Sequence, residues 1–114
     1  MKLPKSDLCT VDRDTVADYL LSASHPTGQI KAKFFASFGF ERVDMDDVAT
    51  SLLAMGKSAE VAGLALTKHG TKYFVDGALE SPIGIKIYIR TEWIVDTGAE
   101  TAVFSAVYHR IQTG

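Results

Sequence analysis

Cysteine is nearly missing from this chain. Cys9 is the only one in 114 residues, so no intrachain disulfide and no cysteine-rich zinc site can form. Cys9 itself reads as a small, partly buried apolar residue, and a cytoplasmic setting is the default expectation. Long apolar runs are also missing. The richest stretch, Ile83 to Val95, is cut by Lys86, Arg90 and Glu92, and the first residues carry Lys2 and Lys5 without an apolar block behind them. A surplus of positive charge is lacking too. The net charge of −2 weighs against a protein that coats nucleic acid through bulk charge, yet leaves room for a local basic cleft. The familiar site signatures fail as well: no phosphate-cradling GxxxxGK[ST], no GxGxxG, no GxSxG, and no HxxxH or HExxH pair. Asp44, Asp46 and Asp47 gather three acids but lack the spaced ligands and closing glutamate of a calcium loop. They read as helix-capping charge, and the expectation is a chain without metal or cofactor.

What is present describes one folded domain. Apolar residues make up 46% and charged ones 23%, which argues against disorder, and the length suffices for an ordinary core. Residues 1–11 read as an extended arm. Residues 12–57 read as a helical half, with Asp12 placed to cap a first helix carrying Val16, Tyr19, Leu20 and Ala23. Thr27 caps a second along Ile30, Phe34 and Phe38, and Asp44 starts a third along Val48, Leu52 and Met55. Residues 59–112 change period. Val61 to Thr67, Thr71 to Leu79, Ile85 to Val95 and Thr101 to Ile111 are rich in β-branched and aromatic residues. The short turns between them demand antiparallel hairpins. The expected fold is therefore α+β: about three N-terminal helices packed on one face of a four-stranded antiparallel meander sheet. On the third strand, Ile85, Ile87, Ile89, Thr91, Trp93 and Val95 share the core face, while Lys86, Tyr88, Arg90 and Glu92 share a half-solvated one. On the fourth strand, Phe104, Ala106 and Tyr108 compete with Val103, Ser105 and Val107 for the inner side.

The groups left for chemistry are a histidine with lysine, arginine and tyrosine partners. His25 precedes Pro26 at a helix stop, and Lys31 falls in the first turns of the next helix, where anions are favoured. Lys72 stands at the mouth of a strand. Arg90 sits mid-strand and needs an anionic partner, which Glu92 or a neighbouring carboxylate would supply. Arg90 and Thr91 point to opposite faces. Tyr108 and His109 end the last strand, where an antiparallel sheet would bring them beside Arg90. Acid–base RNA cleavage needs such a kit: a base for the 2′-hydroxyl, cations for the phosphorane and an acid for the leaving oxygen.

His25-Pro26, Gly28, Lys31-Ala32, Phe34-Phe35 and Gly39-Phe40 resemble the opening of a short bacterial domain family of unknown function. Gly70-Thr71-Lys72-Tyr73, Val75-Asp76-Gly77, Leu79, Pro82, Gly84, Arg90-Thr91 and Trp93-Ile94-Val95 continue the likeness. That layout is similar to the barnase/colicin/RelE-like ribonuclease toxins. The resemblance implies a metal-independent site drawing on His25, Lys31, Lys72, Arg90, Thr91 and Tyr108. With His109 added from its place at the strand end, the expected assignment is His25, Lys31, Arg90 and Tyr108 as catalytic residues, and Lys72, Thr91 and His109 as substrate contacts. The chain departs from the family where Ser105-Ala106-Val107-Tyr108-His109 stands in place of a threonine-alanine-tyrosine-proline ending. The first expectation is thus a small toxin-type ribonuclease with an RNA substrate and a cognate protein inhibitor. The alternative is a non-enzymatic immunity, regulatory or adaptor domain, and a third is a small-ligand enzyme. Two uncovered sheet edges leave a homodimer open.

Overall fold

A computed structural model describes residues 1–12, 15–16, 39 and 44–109. Its centre is a four-stranded antiparallel sheet in the order β1-β2-β3-β4, formed by Val61–Thr67, Gly70–Glu80, Lys86–Asp96 and Val103–His109. Each hairpin is closed by its own punctuation. Thr67 and Gly70 flank a two-residue loop, in which the His69 N–H donates to Thr67 Oγ1 at 3.2 Å and that hydroxyl donates to the Gly70 carbonyl at 2.9 Å. Ser81 closes the next turn. Its N–H donates to the Ile85 carbonyl at 2.8 Å, and the Ile85 N–H returns to Ser81 Oγ at 3.0 Å. Ile85 is spent in that turn and is exposed, so β3 starts one residue later than the pattern predicts.

Helix α1, Met45–Ser58, packs Val48, Ala49, Leu52, Met55 and Gly56 inward. Asp46 and Asp47 lie in its first turn and Lys57 in its last, each sign matching the helix dipole. The expectation of three N-terminal helices packed on the sheet is corrected. Among the described residues, one α-helix and a 3-10 turn, Ser6–Leu8, accompany the sheet. The segments read as the first two helices lie outside the described residues, apart from Thr15 and Val16 at the first and Gly39 at the end of the second. The arm contributes to the core as well: its Leu3 and Cys9 are buried with Leu52 and Trp93.

Two glycines let α1 approach the strands. A Cβ on Gly56 would lie 2.5 Å from the Trp93 ring, and one on Gly77 of β2 would lie 2.7 Å from the end of Met55. Helix and sheet thus each yield a hole for the other's large side chain, the interdigitation that close-packed interiors require. Trp93 also meets Phe104 edge-to-face with centroids 5.7 Å apart.

The arm reaches β4. The Thr10 N–H donates to the Ala102 carbonyl at 3.1 Å and the Phe104 N–H donates to the Thr10 carbonyl at 2.9 Å, a parallel bridge of Thr10 to Val103. Burial pushes the Cys9 thiol above its ordinary pKa.

The ambiguity of the fourth strand has a physical answer. Glu92 pairs with Ala106 and Trp93 with Phe104, so Ser105 is the extra residue of a β-bulge. Phe104 and Val107 therefore both face the core, and neither of the two alternating patterns holds along the whole strand.

Candidate functional site on the open face of the sheet

Residues paired directly across an antiparallel sheet share a face. Asp76, Arg90 and Tyr108 form one row across β2, β3 and β4, and Phe74, Glu92 and Ala106 form the next. Lys72 continues the face toward the β1–β2 turn. All of them lie opposite the side covered by α1.

Arg90 is held by Asp76 in a two-point contact, Nε to Oδ1 at 2.8 Å and Nη2 to Oδ2 at 3.0 Å. That bonding keeps the guanidinium pKa above its usual value, and the charge lies over Phe74, 5.9 Å from the ring centroid. A guanidinium offers three nitrogens. The Asp76 contact orients the group at the Nε–Nη2 edge, and the Arg90 side chain is 40% exposed.

Glu92 is the residue that sequence reasoning missed. Strand alternation gave it a half-solvated position, yet it is only 5% exposed. Tyr108 Oη donates to Oε1 at 3.3 Å, Ser105 Oγ donates to Oε2 at 3.0 Å, and Lys72 Nζ stands 3.6 Å from Oε1. The bulge is what delivers Ser105 to this carboxylate. The signal in the sequence was the run of polar residues Ser105 and Tyr108 on a strand flanking Glu92, but it needs the register to be read.

The sequence-predicted residues divide. Arg90, Lys72 and Tyr108 come together on the open face, with Tyr108 directly opposite Arg90. Thr91 does not join them. It is fully buried, donates its hydroxyl proton to the Val75 carbonyl at 2.7 Å and accepts the Trp93 Nε1–H at 2.8 Å. Its expected role as a substrate contact is corrected to a core hydrogen-bond bridge, because a β-strand turns successive side chains to opposite faces. His109 ends β4 opposite Ile89. His25 and Lys31 lie outside the described residues.

Chemically, the face offers an oriented guanidinium, an ammonium, a shielded carboxylate and a phenol. Phe74, Tyr88 and Tyr108 add aromatic surface, the two tyrosines each 43% exposed. Among the described residues, no group of three or more His, Cys, Asp or Glu side chains is placed to hold a metal ion, and no helix is long and apolar enough to cross a membrane.

Fold and face together define a small antiparallel-sheet domain with a polar and aromatic open surface. The chain belongs to the family described as a domain of unknown function (DUF6883), whose sequence model matches residues 2–111. No curated protein and no solved structure matches it.

Proposed function

We propose that the open face binds single-stranded RNA and cleaves its backbone by acid–base chemistry. The observation that carries this reading is the Glu92 carboxylate, screened from solvent and bonded by Tyr108, with Lys72 beside it and Arg90 one residue pair away. Exposed tyrosines interleaved with cations on an open sheet suit stacked bases and a phosphate backbone. The Arg90 guanidinium and the Lys72 ammonium hold the scissile phosphate. Glu92 accepts the 2′-hydroxyl proton as the 2′-oxygen attacks phosphorus. The P–O5′ bond breaks, leaving a 2′,3′-cyclic phosphate, and Tyr108 gives its proton to the departing 5′-oxygen. His25 and Lys31 stay in the proposal as further proton-handling or phosphate-contacting groups, on the strength of the sequence resemblance; His109, at a register position opposite Ile89, falls on the other face of the sheet and is left out. A toxin-type activity further implies an inhibitor protein.

The test is cleavage of a fluorescent single-stranded RNA by the parent, Glu92→Gln and Arg90→Ala proteins. Loss of general-base catalysis lowers the rate about 10²–10⁴-fold, so each variant is expected to fall by at least that lower bound. A parent without activity, or variants that cleave as fast, defeats the reading.

A second reading, a non-enzymatic binding domain, draws on the pairing of Arg90 with Asp76 and Lys72 with Glu92, which leaves the face electrically balanced. Stoichiometric RNA or protein binding without turnover is its expected signature.

A further inference from the structure

The two edges of the sheet are treated differently. The start of β4 is bridged by the arm at Thr10. At the outer edge of β1, the Val61 N–H donates to the Met1 carbonyl at 2.6 Å, and beyond that contact no strand lies against the edge among the described residues. An antiparallel edge directs the N–H and C=O groups of alternate residues outward, a ready template for another strand, and proteins usually blunt such edges with charge or proline. From Val61 to Thr67 the strand reads Val-Ala-Gly-Leu-Ala-Leu-Thr, with neither. Its one irregularity, a register shift between Val61 and Gly63, falls at the start and leaves Gly63 to Thr67 in regular pairing.

Leu64 is 51% exposed and Leu66 81%. Both share the helix-side face with Tyr73 and Val75, since Leu64 pairs with Tyr73 and Val61 with Val75. Tyr73 and Val61 pack against the core, so the two leucines extend the apolar layer of the domain past the edge of the sheet.

We infer that this edge is where a second copy of the chain docks, β1 against β1 in antiparallel register about a two-fold axis, giving a continuous eight-stranded sheet. The occupant follows from the strand's symmetry of content. With the axis at Ala65, Leu64 of one copy faces Leu66 of the other and Ala65 faces its counterpart, so four leucines cluster on the helix side and no like charges oppose. The flanks are complementary: Glu60 precedes the strand and Lys68 follows it, so antiparallel pairing brings Glu60 of each copy toward Lys68 of the other as diagonal neighbours. Glu60 is exposed and bonded to the Met1 amino group at 2.6 Å, and the Met1 carbonyl takes the Val61 N–H, so the strand-to-strand pairing runs from Gly63 to Thr67 and Lys68 approaches Glu60 beside Met1. An isologous interface of this kind closes on itself and stops at two copies. It lies at the strand edge, so the open face stays free for a ligand, and the inference stands independently of the RNA reading.

Sedimentation equilibrium of the full chain, over concentrations from the low micromolar upward, tests it. The parent is expected to dimerise and both Leu64→Lys and Leu66→Lys to weaken association at least tenfold. Circular dichroism checks that each exposed substitution leaves the fold intact. Under mild oxidation the Ala65→Cys chain is expected to form a dimer linked through position 65, since Cys9 is buried. A parent that stays monomeric, a dimer indifferent to both lysines, or a monomer that takes up only an extended foreign peptide along β1 would each overturn the inference.

Discussion

Thr91 shows how one hydroxyl can be fully committed inside a core. It accepts from the only tryptophan and donates to the neighbouring strand. Replacing it by valine leaves the Trp93 indole N–H and the Val75 carbonyl short of a partner, at a cost of about 1–3 kcal/mol for a buried polar group left unsatisfied. Thr91→Val is therefore expected to lower the urea midpoint clearly, whereas Thr91→Ser, which keeps the hydroxyl, recovers most of the loss. If the two variants melt alike, the bridge contributes nothing. Its neighbour Glu92 marks the limit of residue-level reading. Alternation along β3 assigns its face correctly, but its burial arises from Tyr108, Ser105 and Lys72, which reach it from two other strands.

Among the elements, α1 depends on the absence of a methyl group. Gly56→Ala would gain about 1 kcal/mol of helix propensity. The added Cβ, however, meets a ring anchored by its own hydrogen bond, and overpacking of this kind costs about 1–3 kcal/mol. A net destabilisation in chemical denaturation is expected, and a more stable variant would show that the helix can move aside. The bulge on β4 makes a different prediction. Deleting Ser105 joins two stretches already in register with β3, so Tyr108 stays opposite Arg90 and only the Ser105–Glu92 bond is lost. Deleting Phe74, where β2 is regularly paired with β3, instead turns half a strand inside out against that neighbour. Amide spectra are expected to show a folded protein for the first deletion and collapse for the second; folding of both would mean that the register is not fixed by facing.

At the level of the molecule, the arm is a strap joining early residues to the last strand. Thr10→Pro removes the N–H that reaches Ala102. Cys9 sits beside that bond, buried and with its thiol pKa raised by desolvation. A raised thiol pKa means less thiolate near neutral pH, so Cys9 is expected to resist thiol reagents in the parent and to label faster in Thr10→Pro. Because the folded pKa lies above the unfolded one, this group favours the native state fully below the unfolded value and withdraws that support as pH rises through the folded value. Equal labelling rates would place the strap elsewhere. The strands were readable because Val61 to Thr67 and Lys86 to Asp96 carry strong β patterns between glycine-marked turns, and α1 because Val48, Leu52 and Met55 recur at helical spacing. The docking of the arm was not readable: Leu3 and Cys9 are two isolated apolar residues in a polar stretch, too few for any periodicity. Nor was the fourth strand's facing, since one inserted residue cancels the alternation on which such a reading rests.

Trp93 sits where these levels meet, under Gly56, against Phe104 and bonded to Thr91. Being the sole indole, it serves as an optical gauge of the seam between helix and sheet. Its emission is expected to stay blue when RNA occupies the opposite face and to shift red only when the helix lifts away. One fluorophore therefore tells an occupied protein from an opening one without any label.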